Sequence, residues 1–275
     1  MKRSRSTNRG LKQLALSSKD THQLISDQLS HLLSDVASGY TCDRQTVSDI
    51  VVKASVEGSA IEGACNALAN APTGMTVRTY LNEALPVTAL QETECALRTQ
   101  LQADLPRRLW KRPLNLAIDF HDEPFYGKDP TLRTYACRSV AQRGTTRFYR
   151  VATVYVIHRH IPYTLGVVFV LPEHSVQDVL LALLHQIQDL KLRICGLYLD
   201  KGFCVRPVIE FLNSKPYEVI IACPIRGKNG GTRALCKGRK SYFTNYTFYA
   251  GKAEAYTAPL AVVRTYEQRH AKRRA

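Results

Sequence analysis

Two apolar stretches, each running into an aspartate, limit what this chain can fold into more than any other feature. In residues 114–128, LNLAIDFHDEPFYGK, Leu114, Leu116 and Ile118 share one face at a period of two. Asn115, Ala117 and Asp119 share the other. Asp119 is therefore expected at the carboxyl end of a buried strand. Residues 193–203, RICGLYLDKGF, repeat the arrangement: an apolar run ends at Asp200 and a Lys-Gly turn comes at once. A carboxylate beside a hydrophobic sheet is costly unless it is paired, hydrated or metal-bound. Two of them, each at the end of its own strand, point to one shared site, because ligands of open α/β sheets lie beyond the carboxyl ends of the strands.

The pattern around these stretches supplies the rest of the fold. Residues 147–157 and 163–171 are rich in β-branched and aromatic side chains and are joined by HRHIP, which predicts an antiparallel hairpin. Residues 175–190 carry Val176, Val179, Leu180, Leu183, Leu184 and Ile187 on one helical stripe. A helix over 206–212, with Pro207 in its first turn, and a strand over 217–223 come after the second acidic strand. Strand, hairpin, helix, strand, helix, strand describes a mixed α/β sheet of the ribonuclease H type. This core is expected to occupy residues 114–225.

Ahead of it, residues 21–105 read as an all-helical unit. Leu24, Ile25, Leu29, Leu32, Leu33 and Val36 form one stripe ended by Gly39, and Val47, Ile50, Val51 and Ala54 form a second over 44–56. Thr76 is expected to cap a short helix that stops before Pro86, and a further helix covers 88–105. Helix-turn-helix DNA readers share this pattern, and so does any helical cap. Residues 1–20 are rich in Lys, Arg and Ser and are expected to be a flexible basic tail.

The formal net charge is +15, with 38 Lys and Arg against 23 Asp and Glu, which favours a polyanionic partner such as nucleic acid. The charge is concentrated. Arg107, Arg108, Lys111 and Arg112 surround Trp110 in the link to the first acidic strand. Residues 226–241, RGKNGGTRALCKGRKS, hold six Lys or Arg among four Gly, a composition suited to phosphate contact without base reading. Two strands of a further hairpin, 243–250 and 255–265, come next, so that 226–275 forms a basic, β-rich insertion. The eight cysteines are scattered, with no Cys-x-x-Cys pair and no zinc spacing, which fits a reducing, cytosolic setting. No apolar run reaches the roughly 20 residues that span a bilayer, so no membrane partner is expected.

AIDFHDEPFYGK, then LYLDKGF with VIEFL after it, then IIACPIRGK, together resemble the catalytic core of insertion-sequence DDE transposases, in the branch common in archaea and cyanobacteria. The resemblance covers roughly residues 70–275. It implies metal-dependent phosphodiester hydrolysis and strand transfer at transposon ends. Asp119 and Asp200 would then be the first two catalytic acids and the ligands of Mg²⁺ or Mn²⁺. Lys201 stands where the family has an Arg, and with Arg226, Lys228, Arg233, Lys237, Arg239 and Lys240 it is expected to meet DNA. A homodimer on paired DNA ends, and a cytoplasmic protein that associates with the nucleoid when bound, are implied by the same resemblance. Asp122 and Glu123 are read as an exposed acidic turn or as secondary ligands, and His121 as a turn residue. The family's third acid, a Glu on a helix after the insertion, has no counterpart here. The expectation is a core incomplete after residue 275, with impaired catalysis; the alternative is a catalytically dead DNA-binding remnant or an inhibitor of a full-length transposase.

Overall fold

The computed structural model describes residues 17–34, 36, 39, 42–142, 144–158 and 161–265. The tail over 1–16, the tip of the hairpin at 159–160 and the basic terminus over 266–275 lie outside the described residues. Two compact units, 1–103 and 104–275, divide the chain.

The first unit is helical. Helix α1 (Ser18–Leu32) starts three residues earlier than the stripe predicts, because Ser17 and Asp20 close a capping box that satisfies its first amides. Leu24 is 53% exposed, while Ser26 takes the inward position with Leu29, Leu33 and Val36. Helix α2 (Arg44–Glu57) is capped by Asp43 and ends at Gly58, whose φ of 59° is the left-handed C-cap that a glycine adopts without strain. A short helix, α3 (Ile61–Ala67), was not apparent in the pattern. Helix α4 (Gly74–Ala84) is capped by Thr73, not Thr76; the Thr76 amide is the donor to the Thr73 hydroxyl. Helix α5 covers Leu90–Ala103. Val47, Ile50, Ala64 and Val77 are fully buried in the core of this unit.

The second unit is built on a six-stranded mixed sheet. Its strands are β1 (Leu114–Pro124), β2 (Cys137–Gln142), β3 (Thr145–His158), β4 (Ile161–Val170), β5 (Ile194–Leu199) and β6 (Glu218–Ile221). A short helix, α6 (Pro130–Thr134), precedes β2. β3 runs antiparallel to β1 on one side and to β4 on the other, and β1, β5 and β6 are parallel neighbours. The order β4-β3-β1-β5-β6 is that of a ribonuclease H-type sheet, with β2 as an addition on the β4 side of β3. Helices α7 (Val176–Gln188) and α8 (Arg206–Asn213) are the crossovers between parallel strands. Their apolar stripes close over Leu116, Ile118, Val154, Val156, Leu197 and Leu199, the buried face of the sheet. On the free edge of β4, the Gln186 side chain of α7 accepts from the Val167 amide (2.9 Å) and donates to the Val167 carbonyl (2.8 Å), pairing the edge without another strand.

Residues 226–241 are not a featureless loop. A five-residue helix, α9 (Gly231–Leu235), interrupts them, and the buried Thr232 ties their base by accepting from the Arg226 amide and donating to the Pro224 carbonyl. Strands β7 (Tyr242–Phe248) and β8 (Tyr256–Val262) form a separate antiparallel pair. Among the described residues, no helix is long and apolar enough to cross a membrane.

Candidate active site

Asp119 and Asp200 come together through the register of β1 and β5. Ile118 pairs with Leu199 in the parallel ladder, and the Asp200 amide donates to the Ile118 carbonyl at 3.2 Å. The two aspartates are the next positions along their strands. Neighbouring strands lie about 4.8 Å apart, and partners in register point to the same side. Asp119 and Asp200 therefore occupy adjacent backbone positions where β5 leaves β1, with Asp119 on the sheet face opposite the one that α7 and α8 cover.

Asp119 is not at the end of its strand. The apolar run stops there, but β1 continues to Pro124 because its antiparallel ladder with β3 runs on through Pro124↔Phe148. What ends near Asp119 is the parallel ladder: β5 finishes at Leu199 and turns away. Asp119 is thus held from both sides, by the β5 end and by Thr153, its partner on β3. Both aspartates are partly exposed. Asp119 Oδ1 accepts from the Phe120 amide at 2.8 Å, and Asp200 Oδ2 accepts weakly from the Gly202 amide at 3.4 Å. No cationic side chain lies within ion-pair distance of either among the described residues.

The turn after β5 fixes the position of Asp200. Residues Lys201–Phe203 make one 3₁₀ turn, and Phe203 is driven fully into the core. Its ring stacks on Phe120 with centroids 4.3 Å apart and 3° between planes. Gly202 is required at this approach, because a Cβ there would lie 2.9 Å from the Phe120 ring. The residues after the two acids, Phe120 and Gly202-Phe203, thus fasten β1 to the β5 turn on the buried side.

The acidic residues after Asp119 are in the strand, not in a turn. Asp122 faces the same side as Phe120 and pairs across the ladder with Arg150, whose Nε and Nη2 donate to its two oxygens at 2.6 and 2.8 Å. The Arg150 guanidinium lies 5.4 Å from the Phe120 ring centroid. The hydrogen bonds it donates to Asp122 raise the Arg150 pKa against the opposing effect of burial. Asp122 is therefore committed to a structural ion pair. His121 and Glu123 are exposed in β1, and His121 Nε2 lies 3.2 Å from the Thr153 hydroxyl.

The basic residues singled out by sequence divide into two groups. Arg226 donates to the Tyr249 hydroxyl and Arg233 Nε to the Gly227 carbonyl, so both shape the segment that carries them. Lys201, Lys228, Lys237, Arg239 and Lys240 are exposed. Among the described residues, no group of three or more His, Cys, Asp or Glu is arranged to hold a metal ion. Sequence reasoning missed Thr153 and Arg150. Their place beside the acids depends on the β1–β3 register, which neither strand states alone.

No family model and no curated protein matches the chain. Two of the solved structures it resembles are a piggyBac transposase synaptic complex with hairpin DNA and a Drosophila P element transposase strand transfer complex. The first covers 90% of this chain and 52% of its own at a TM-score of 0.42; the second covers 74% and 46% at 0.38. Both are 12% identical. The chain spans about half the length of each, and likenesses of this size say nothing about activity.

Proposed function

We propose that this chain carries the metal-binding acids of a DNA-cutting and DNA-joining enzyme of the DDE transposase class. The observation that supports the reading is that Asp119 and Asp200 each directly follow the last residues paired between β1 and β5, Ile118 and Leu199. Two partly exposed carboxylates without a cationic partner suit a divalent ion that takes one or two carboxylates together with water and substrate phosphate, as Mg²⁺ does. Mn²⁺ accepts the same oxygen donors. Such an ion supplies Lewis-acid polarisation of a phosphoryl oxygen and a more acidic bound water.

The chain's own groups do the rest. Asp119 and Asp200 hold their oxygens in place through the Phe120 amide and the Phe120–Phe203 stack. Lys201, next to Asp200, offers a positive charge to a DNA phosphate. Lys228, Lys237, Arg239 and Lys240 extend that attraction along the duplex backbone, with Arg226 and Arg233 adding to the field while fixing their segment.

Titration with Mn²⁺, monitored by electron paramagnetic resonance, tests the metal site without requiring turnover. One bound ion that is lost in both Asp119→Asn and Asp200→Asn supports the reading. Equal Mn²⁺ binding by the wild type and both variants refutes it. A second reading, DNA binding without catalysis, is favoured by the lack of a third acid beside the pair among the described residues. Mg²⁺-dependent nicking of plasmid DNA by the 275-residue protein, abolished by Asp200→Asn, would exclude that alternative.

A further inference from the structure

Arg264 stands just past the end of β8, and its guanidinium gathers the carbonyls of the basic segment. Nε donates to Lys240 O at 3.0 Å and Nη1 to Cys236 O at 2.8 Å. Nη2 donates to Leu235 O at 3.3 Å and Lys237 O at 2.6 Å. Its backbone amide donates to the Ser241 hydroxyl at 3.0 Å. One side chain thus closes four carbonyls of a seven-residue stretch, using the fixed fork that only arginine provides. The pairing of Tyr242 with Val262 brings Arg264 to this place, at the mouth of the β7–β8 hairpin.

Lys237, Arg239 and Lys240, which lie within this stretch, are exposed and carry like charges. Left to itself, such a stretch spreads its cations apart and is free to turn its carbonyl oxygens, the groups that repel a phosphate, toward a polyanion. With the carbonyls drawn onto a guanidinium, their negative ends are neutralised and the backbone that carries the three cations is held in one arrangement. Gly238, at φ 94°, permits the turn between them. Ordering the stretch before binding reduces the cost of binding.

We propose that Arg264 is the positioning residue of a phosphate-contact loop formed by residues 235–241, whose partner is the DNA backbone. The inference rests on the reading of the basic segment as a DNA contact and adds that its cations act as one preorganised unit.

The slope of log K against log salt for a generic duplex tests it, because each phosphate neutralised contributes about −0.9. The triple variant Lys237→Ala/Arg239→Ala/Lys240→Ala is expected to lower the slope by roughly two to three. Arg264→Met is expected to lower it by more than the about one unit that a single lost contact gives, and to have no further effect in the triple background. Arg264→Lys, which keeps the charge but lacks the fork, is expected to behave as Arg264→Met does. If Arg264→Met costs about one unit and adds to the triple variant, or if Arg264→Lys binds as the wild type does, the proposal is overturned. Hydrogen exchange of the free protein separates this inference from the reading beneath it. Faster exchange of the 235–241 amides in Arg264→Lys is expected, and unchanged exchange overturns the positioning role whatever the DNA affinity. A triple variant that binds DNA with the wild-type slope overturns the phosphate-contact reading instead.

Discussion

Replacing Phe203 tests how the candidate site is held. Its side chain is fully buried and stacked on Phe120, and it ends the 3₁₀ turn that starts at Asp200. Truncating a buried Phe to Ala costs about 3–5 kcal/mol, the transfer term plus the cavity it leaves. Of that, roughly 0.5–1.5 kcal/mol belongs to the offset aromatic pair. Trp110 is the only tryptophan and lies in the unit of residues 104–275, where its indole donates to the Leu190 carbonyl, so intrinsic fluorescence reports this unit. At a slope of about 2 kcal/mol per M urea, Phe203→Ala should lower the fluorescence midpoint by roughly 1.5–2.5 M. Phe203→Leu, which keeps most of the apolar volume, should lose about 1–2 kcal/mol. A double-mutant cycle with Phe120→Ala should return a coupling near ~1 kcal/mol. Phe203→Leu should also weaken Mn²⁺ binding although residue 203 touches no ligand, because the turn that carries Asp200 loses its stack on Phe120. A Phe203→Ala cost below about 1 kcal/mol, or zero coupling to Phe120, would refute the account of how β1 and the β5 turn are fastened.

The same structure carries further expectations. Arg150→Met leaves the Asp122 carboxylate unpaired in a half-buried ladder and should cost about 1–3 kcal/mol in urea denaturation, whereas joint replacement of both by apolar residues should cost less. Gln186→Ala removes both bonds to Val167 and bares the β4 edge; a loss of about 1–3 kcal/mol and increased light scattering on mild heating are expected. Burial, with the neighbouring Cys223 second, pushes the Cys204 thiol from its ordinary 9.0 up to about 11. Its neutral form is thus favoured in the folded state. That contribution is complete below pH 9 and is lost as pH rises from about 9 to about 11, so urea midpoints should fall across this window and fall less steeply in Cys204→Ala. Gly202→Ala places a methyl group against the Phe120 ring and should destabilise the same unit while leaving the far-ultraviolet circular dichroism of the helices unchanged.

Some elements were legible and others were not, for reasons that differ. Helices α2 and α7 were legible because a long stripe at period 3.6 coincides with a capping residue, Asp43 or Ser175. Strands β3 and β4 were legible because β-branched and aromatic residues are dense along them. Helix α3 is only seven residues long and begins without a side-chain cap, and β2 is a polar strand that exists by pairing with the first residues of β3. Neither carries a local signal strong enough to read. The extension of β1 past Asp119 was hidden because His121, Asp122 and Glu123 look like a turn until Arg150 is known to stand opposite Asp122.

The amino-acid sequence by itself determined that two apolar strands each lead to an aspartate, that helices separate the later strands, and that positive charge is gathered over residues 226–241. These are properties of short windows, set by side-chain alternation and charge count. Only the tertiary structure decided that Ile118 pairs with Leu199, which makes Asp119 and Asp200 neighbours, and that Arg264 reaches back to carbonyls 24 to 29 residues earlier. Strand register and long-range hydrogen bonds are relations between distant segments. They are chosen by which pairing buries the most apolar surface and leaves the fewest backbone groups unpaired, and no local pattern holds that comparison.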